Sequence, residues 1–143
     1  MGQHSILFVN TRLDGRSRWK SILNEPDFDV VYATQLDLSV RGLVLNDIHL
    51  VLVEGSGVAD ADIELCTRLR DRVQAPLLLL SENATEEFIL AAYAAGIDEF
   101  VPGRYSPALV KAKLRAWFRW RQRQPQLVFH YQFDPSKINH MRE

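Results

Sequence analysis

Apolar positions alternate along this chain between two kinds of segment. Short apolar runs occur at residues 5–9 (Ser-Ile-Leu-Phe-Val), 48–54 and 76–81, with a β-branched and aromatic stretch at 28–33 (Phe-Asp-Val-Val-Tyr-Ala) and a brief one at 99–101, each bounded by polar or turn residues. Runs of this length and aliphatic content suit strands of a parallel sheet buried on both faces. Between them the apolar residues recur at helical spacing. Trp19, Ile22 and Leu23 predict a helix from about 15 to 24, closed by Pro26, and Val40, Leu43 and Val44 predict a short second one. Ile63, Cys66, Leu69 and Val73 predict a third, begun near Asp60. Thr85-Glu86-Glu87 opens a fourth that ends at Gly96, and Ser106-Pro107 opens a fifth that runs to about Gln122. Strict βα alternation predicts a doubly wound α/β domain, because every parallel connection needs a crossover.

The pattern changes after residue 122. Pro125 breaks the last helix, and Leu127, Phe129, Tyr131 and Phe133 then alternate with Val128, His130 and Gln132 before Asp134-Pro135. This is strand-like spacing with no further partner in the chain. It either pairs with another molecule or begins a further, truncated domain, so residues 1–122 are read as one domain and 123–143 as a linker and the start of a second.

Composition narrows the classes. A chain of 143 residues with 47% hydrophobic and 24% charged residues and a net charge of -1 is of a size and balance for one globular core, with no global bias toward nucleic acid. The single cysteine, Cys66, excludes a disulfide framework. His4, His49, His130 and His140 lack ligand spacing, so no metal and no cofactor are expected. No glycine-rich phosphate loop is present, which argues against a nucleotide-binding enzyme. No apolar run approaches the ~20 residues of a membrane helix, and Met1-Gly2-Gln3-His4 carries no signal-peptide pattern, so a cytoplasmic location is expected.

The candidate chemistry centres on Glu54, an acid at the end of the most apolar run and followed by Gly55-Ser56-Gly57. Ligands of open α/β sheets lie at the carboxyl ends of the strands. The strings Leu50-Val51-Leu52-Val53-Glu54, Ile63-Glu64-Leu65-Cys66, Leu69-Arg70 and Ala94-Ala95-Gly96-Ile97-Asp98-Glu99-Phe100, with Ser106-Pro107, resemble the receiver domain of bacterial response regulators over residues 5–122. The resemblance implies a flavodoxin-like (βα)5 fold with a five-stranded parallel sheet. The string from Leu127 to Pro135 resembles the entry strands of a winged-helix, DNA-binding output domain.

That family transfers a phosphoryl group to an aspartate. Two acids after the first strand hold Mg²⁺, an aspartate ends the third strand, and a hydroxyl and a lysine after the fourth and fifth receive the new charge. Here the matching positions are Asn10 and Thr11 for the acids, Glu54 for the nucleophile and Gly103 for the lysine, with Arg104 one residue late. Only the hydroxyl, Ser81, and the switch aromatic, Phe100, are kept. The resemblance therefore implies a pseudo-receiver with no catalytic residue, acting in two-component signalling and transcription regulation without phosphotransfer. Glu54 is then either a built-in imitation of the phosphorylated state or a plain acid of a decayed pocket.

The expected working surface lies on the fourth helix, fifth strand and fifth helix. Phe88, Ala91, Ala92 and Ala95 share the sheet side of the fourth helix, leaving Ile89, Leu90 and Tyr93 turned away. On the fifth, Val110, Leu114, Trp117 and Phe118 form one stripe and Leu109, Ala116 and Trp120 a second, with Lys113 among them. Family dimers form here through salt bridges, and the matching positions are the apolar Ile89 and Leu109 and the charged Glu99 and Lys113. These imply a phosphorylation-independent homodimer, with DNA as the partner of an output domain and no membrane. The alternatives are a ligand sensor and a receiver that still accepts phosphate. Lys111, Lys113, Arg115, Arg119, Arg121 and Arg123 make the fifth helix basic and are expected to form a solvated face.

Overall fold

The computed structural model describes residues 4–11, 17–34 and 47–123. The strands are β1 (His4–Asn10), β2 (Phe28–Thr34), β3 (Leu50–Glu54), β4 (Leu77–Ser81) and β5 (Glu99–Pro102). The described helices are α1 (Trp19–Ile22), α2 (Ala59–Arg72), α3 (Glu86–Ala95) and α4 (Pro107–Arg123). The helix expected at Val40–Val44 and the strand-like tail after Pro125 lie outside the described residues, as does the expected start of the first helix.

All strand pairs are parallel and the order is β2-β1-β3-β4-β5. This is the expected flavodoxin-like doubly wound sheet, whose winding reverses between β1 and β3. Successive residues of a strand face opposite sides. Leu7, Val9, Val51, Val53, Leu77 and Leu79 accordingly pack against α2 and α3 through Leu65, Leu69, Phe88 and Ala92. Ile6, Phe8, Leu50, Leu52, Leu78 and Leu80 pack on the other side against Trp19, Leu23, Val110, Leu114 and Phe118. Burial on both sides is why these strands read as unbroken aliphatic runs.

Local signals set the helix ends. The Thr85 hydroxyl accepts the Phe88 N–H at 3.3 Å, capping α3, and Gly96 closes it at φ 115°. A Cβ at Gly96 would lie 2.5 Å from Cγ of Arg70, so the position requires glycine twice over. Arg70 itself donates to the carbonyls of Val73 (2.8 Å), Ala75 (2.7 Å) and Gly96 (3.1 Å) and to Asp98 (3.0 Å), tying the end of α2 to the entry of β5. The first helix stops at Ile22, short of the expected Asn24. Pro26 disfavours helical backbone in the residue before it, and the chain turns through bonds from Asn24 N to Ser21 O (3.3 Å) and Glu25 N to Leu23 O (2.9 Å).

The basic run on α4 departs from expectation. Arg115 donates to Asp27 through Nε and Nη2, both at 3.0 Å, and to Glu25 at 3.1 Å, with its guanidinium 4.8 Å from the Phe28 ring centre. Lys111 bonds Glu25 at 3.3 Å and Lys113 bonds Glu99 at 2.6 Å. Arg115 holds the Asp27 carboxyl below its usual range, and with Lys111 does the same to Glu25. The acids come from segments far away in sequence, which is why a reading of α4 alone sees only charge of one sign. Arg119, Arg121 and Arg123 are exposed, as expected.

Candidate functional site: a cleft at the carboxyl ends of the strands

The carboxyl ends of β3, β4 and β5 meet in a cleft of about 260 Å³ lined by Glu54, Gly55, Ser56, Gly57, Leu80, Ser81, Glu82 and Gly103, with Arg18 and Trp19 from the start of α1. Three of the residues picked from the sequence, Glu54, Ser81 and Gly103, converge here. Asn10 is the register partner of Glu54 on β1 and is buried. Thr11 follows it, half-buried. Phe100 lies elsewhere: its half-buried ring packs edge-on to Phe88, 6.3 Å between centres, beside α3.

The walls are held by bonds within the protein. The Ser81 hydroxyl accepts the Asn83 N–H at 3.1 Å, and the Ser81 carbonyl accepts the Gly103 N–H at 2.8 Å. The Gly55 N–H donates to the Leu80 carbonyl at 2.8 Å. Two residues that the sequence did not single out complete the frame. Asp62, in the first turn of α2 and 1% exposed, accepts the Ser56 N–H (2.9 Å), the Ser56 hydroxyl (2.7 Å) and the Gly57 N–H (3.1 Å), fixing the loop that follows Glu54. An acid in the first turn of a helix is its only sequence signal, and it is shared with Asp60. Arg18 donates to the Gly103 carbonyl at 3.4 Å across the mouth of the cleft. The expected nearby cation, Arg104, is exposed and does not line the cleft. Nothing local marks Arg18 for this role, because its partner is 85 residues away.

A side chain at position 103 would displace its neighbours. A Cβ there would lie 2.7 Å from Glu82 Cγ, 3.2 Å from the Glu82 backbone nitrogen and 3.3 Å from the Ser81 carbonyl carbon. The carboxylates that line the cleft are those of Glu54 and Glu82, while the β1 end offers the amide of Asn10 and the hydroxyl of Thr11. Among the described residues no three His, Cys, Asp or Glu side chains are grouped to hold a metal. Cys66, in α2, is buried in the core, and desolvation, with Asp62 nearby, pushes its thiol up to about 12.

On the outer face, Leu90, Tyr93, Leu109 and Trp120 are exposed, as the helical spacing predicts, while Ile89 is only half-exposed. Glu99 and Lys113 bond to each other within the chain. No described helix is long and apolar enough to cross a membrane.

Comparison with known proteins establishes the fold. The crystal structure of a two-component response regulator from Clostridium difficile matches with a TM-score of 0.66 at 21% identity, covering 82% of this chain and 97% of the other. The BeF3-activated N-terminal receiver domain of Klebsiella pneumoniae RstA matches with a TM-score of 0.65 at 23% identity, covering 81% and 99%. The class defined by this architecture is therefore the receiver-type α/β fold. By sequence the chain is 21% identical over 117 residues to the transcriptional regulatory protein YvrH of Bacillus subtilis (strain 168), a match to 81% of this chain and 49% of that protein. The chain thus spans about half the length of that relative. No protein-family model matches it.

Proposed function

We propose that this chain is an atypical receiver module of a response regulator that has given up aspartyl phosphorylation and works by association, governing a DNA-binding output beyond its own fold. The observation that carries the reading is the glycine at position 103. Phosphoryl transfer is catalysed by positioning and by placed charge, and the position where a cation belongs carries no side chain, with Glu82 Cγ 2.7 Å from where a Cβ would stand. The neutral Asn10 and Thr11 and the longer acid Glu54 agree with it. The kinship to a transcriptional regulatory protein of about twice the matched length supports an output domain, and the resemblance of the tail to winged-helix entry strands supports its kind.

Glu54 places a carboxyl group where the phosphoryl group would stand, and Ser81 and Gly103 are already drawn together by their backbone bond. The module is therefore read as permanently in one state, with Phe100 packed on Phe88 and the face of α3, β5 and α4 offered to a second copy. Exchanging an exposed ion pair at Ile89 and Leu109 for aliphatic contact gives up ~0–1 kcal/mol and gains burial at ~25 cal/mol per Å². Incubation of the whole chain with acetyl phosphate and Mg²⁺, followed by intact mass, tests the central claim. No adduct is expected; a stoichiometric phosphoryl adduct refutes it.

A further inference from the structure

The two edges of the sheet differ in what they offer a further strand. At β5 the Phe100 N–H is taken by the Tyr93 hydroxyl at 3.0 Å, and Pro102 has no N–H to give. At the other edge stands β2, seven residues long, whose one strand neighbour among the described residues is β1. Its sequence, Phe-Asp-Val-Val-Tyr-Ala-Thr, holds a single charge and no proline. Successive residues face opposite sides of a sheet, so Val31, 45% exposed, and Tyr32, 37% exposed, leave apolar surface on both faces of this edge. A long edge strand of this kind invites pairing unless something covers it.

What covers it follows from how the chain leaves the fold. α4 ends at Arg123 and residues 124–143 follow, with Leu127, Phe129, Tyr131 and Phe133 alternating over a stretch as long as β2. The last turns of α4 lie at the starts of β1 and β2. Phe118 stacks on His4, 4.2 Å between ring centres, and lies 6.0 Å from Phe28, while Arg115 holds Asp27. A strand begun from this end runs in the same direction as β2. From Arg123 to Leu127 the chain spans up to about 13 Å, and a place beyond β2 is two strand spacings of ~4.8 Å from β1.

Handedness selects the same edge. α1 and α4 pack on one side of the sheet, α2 and α3 on the other. Along the side of α1 the chain moves from β1 toward the β2 edge, and along the other side it moves from β3 to β4 to β5. Both are the right-handed sense that crossovers between parallel strands almost always take. α4 leaves β5 on the side of α1, so a right-handed return to the sheet ends beyond β2. A parallel strand added beyond β5 would be left-handed.

We infer that residues 127–133 form a sixth strand, parallel to β2 and paired with its free edge, giving the order tail-β2-β1-β3-β4-β5. Leu127, Phe129, Tyr131 and Phe133 then extend the aromatic face of Phe28 and Tyr32 on the side of α1 and α4. His130 and Gln132 fall on the face of the exposed Asp29 and Val31. The inference goes beyond the proposed function and does not rest on the dimer reading. An attached domain would start from the β2 edge and leave the face of α3, β5 and α4 clear.

The test is hydrogen exchange and nuclear Overhauser spectroscopy on the isotope-labelled whole chain, as the parent and as Tyr131→Pro, which removes an N–H from the added strand. The amides of β3 and β4 report that each protein is folded. In the parent, the amides of 128–132 are expected to exchange at least ~10-fold more slowly than in an unfolded chain, with contacts to 29–33 in a parallel ladder. Tyr131→Pro is expected to quicken exchange ~10-fold in both the tail and β2 while β3 and β4 keep the parent's rates. Free exchange of the parent's tail, an antiparallel ladder, contacts to β5, or contacts seen only between differently labelled copies overturn the inference. So does a Tyr131→Pro protein whose tail and β2 stay as protected as the parent's. None of these outcomes bears on whether the cleft accepts phosphate, so the two claims fail separately.

Discussion

Replacing Asp62 with alanine is the most informative perturbation of the pocket frame. The carboxylate is 1% exposed and accepts three hydrogen bonds of 2.7 to 3.1 Å from Ser56 and Gly57. Hydrogen bonds to a charged group contribute about 1.5–3 kcal/mol each when they cannot be replaced. Ser56 and Gly57 are exposed residues, so water takes over part of what is lost, and a net destabilisation of about 2–3 kcal/mol is expected in all. For a chain of this size that lowers the melting temperature by roughly 6–12 °C. Asp62→Asn keeps an acceptor for Ser56 but sets its amide against one of the two N–H donors, so its loss falls between parent and alanine. The assays are urea unfolding of all three proteins and hydrogen exchange at the Ser56 and Gly57 amides, which should quicken in Asp62→Ala before global stability is approached. An unfolding free energy for Asp62→Ala within about 0.5 kcal/mol of the parent, the range of an ordinary surface change, would show that this carboxylate does not hold the loop.

Two further outcomes follow from the frame. Gly96→Ala puts a Cβ 2.5 Å from Arg70 Cγ at a positive φ; the left-handed backbone alone costs roughly 1–2 kcal/mol, and displacement of Arg70 adds to it, so an unchanged urea midpoint would contradict the structure. Arg115→Gln removes the cation that lowers Glu25 and Asp27 below their ordinary values of 4.5 and 3.8. Depressed carboxyl pKa values give stability that is present above the unfolded values and lost as pH falls through the folded ones, so the stability gap between parent and variant is full at neutral pH and closes in acid; a gap that stays constant down to pH ~3 would refute the linkage.

The pattern of this chain by itself determined a good deal. Runs such as 50–53 and 77–80 are apolar at every position, which only a sheet covered on both faces rewards, and unbroken βα alternation made that sheet parallel; its flavodoxin-like kind was implied only by the family resemblance. Thr85, Gly96 and Ser106-Pro107 marked helix ends because capping is decided within a turn of the chain. Asn10, Thr11, Glu54 and Gly103 could be placed at strand ends from the pattern alone, whereas their interest as site positions came from the family resemblance.

Tertiary structure decided what those positions meet. Arg18 reaches the carbonyl of Gly103 across 85 residues, and Arg115 reaches Asp27 across 88, so a helix that reads as a solvated basic face is in fact stapled to the loop before β2. Asp62 looked no different from Asp60 until the fold buried one and exposed the other. That Glu82 and the Ser81 carbonyl carbon crowd Gly103 was likewise decided only when β4 and β5 came side by side. Periodicity and capping act between residues a few positions apart and are written in the order of the amino acids, whereas burial and the choice of partner are fixed only when distant strands are brought side by side.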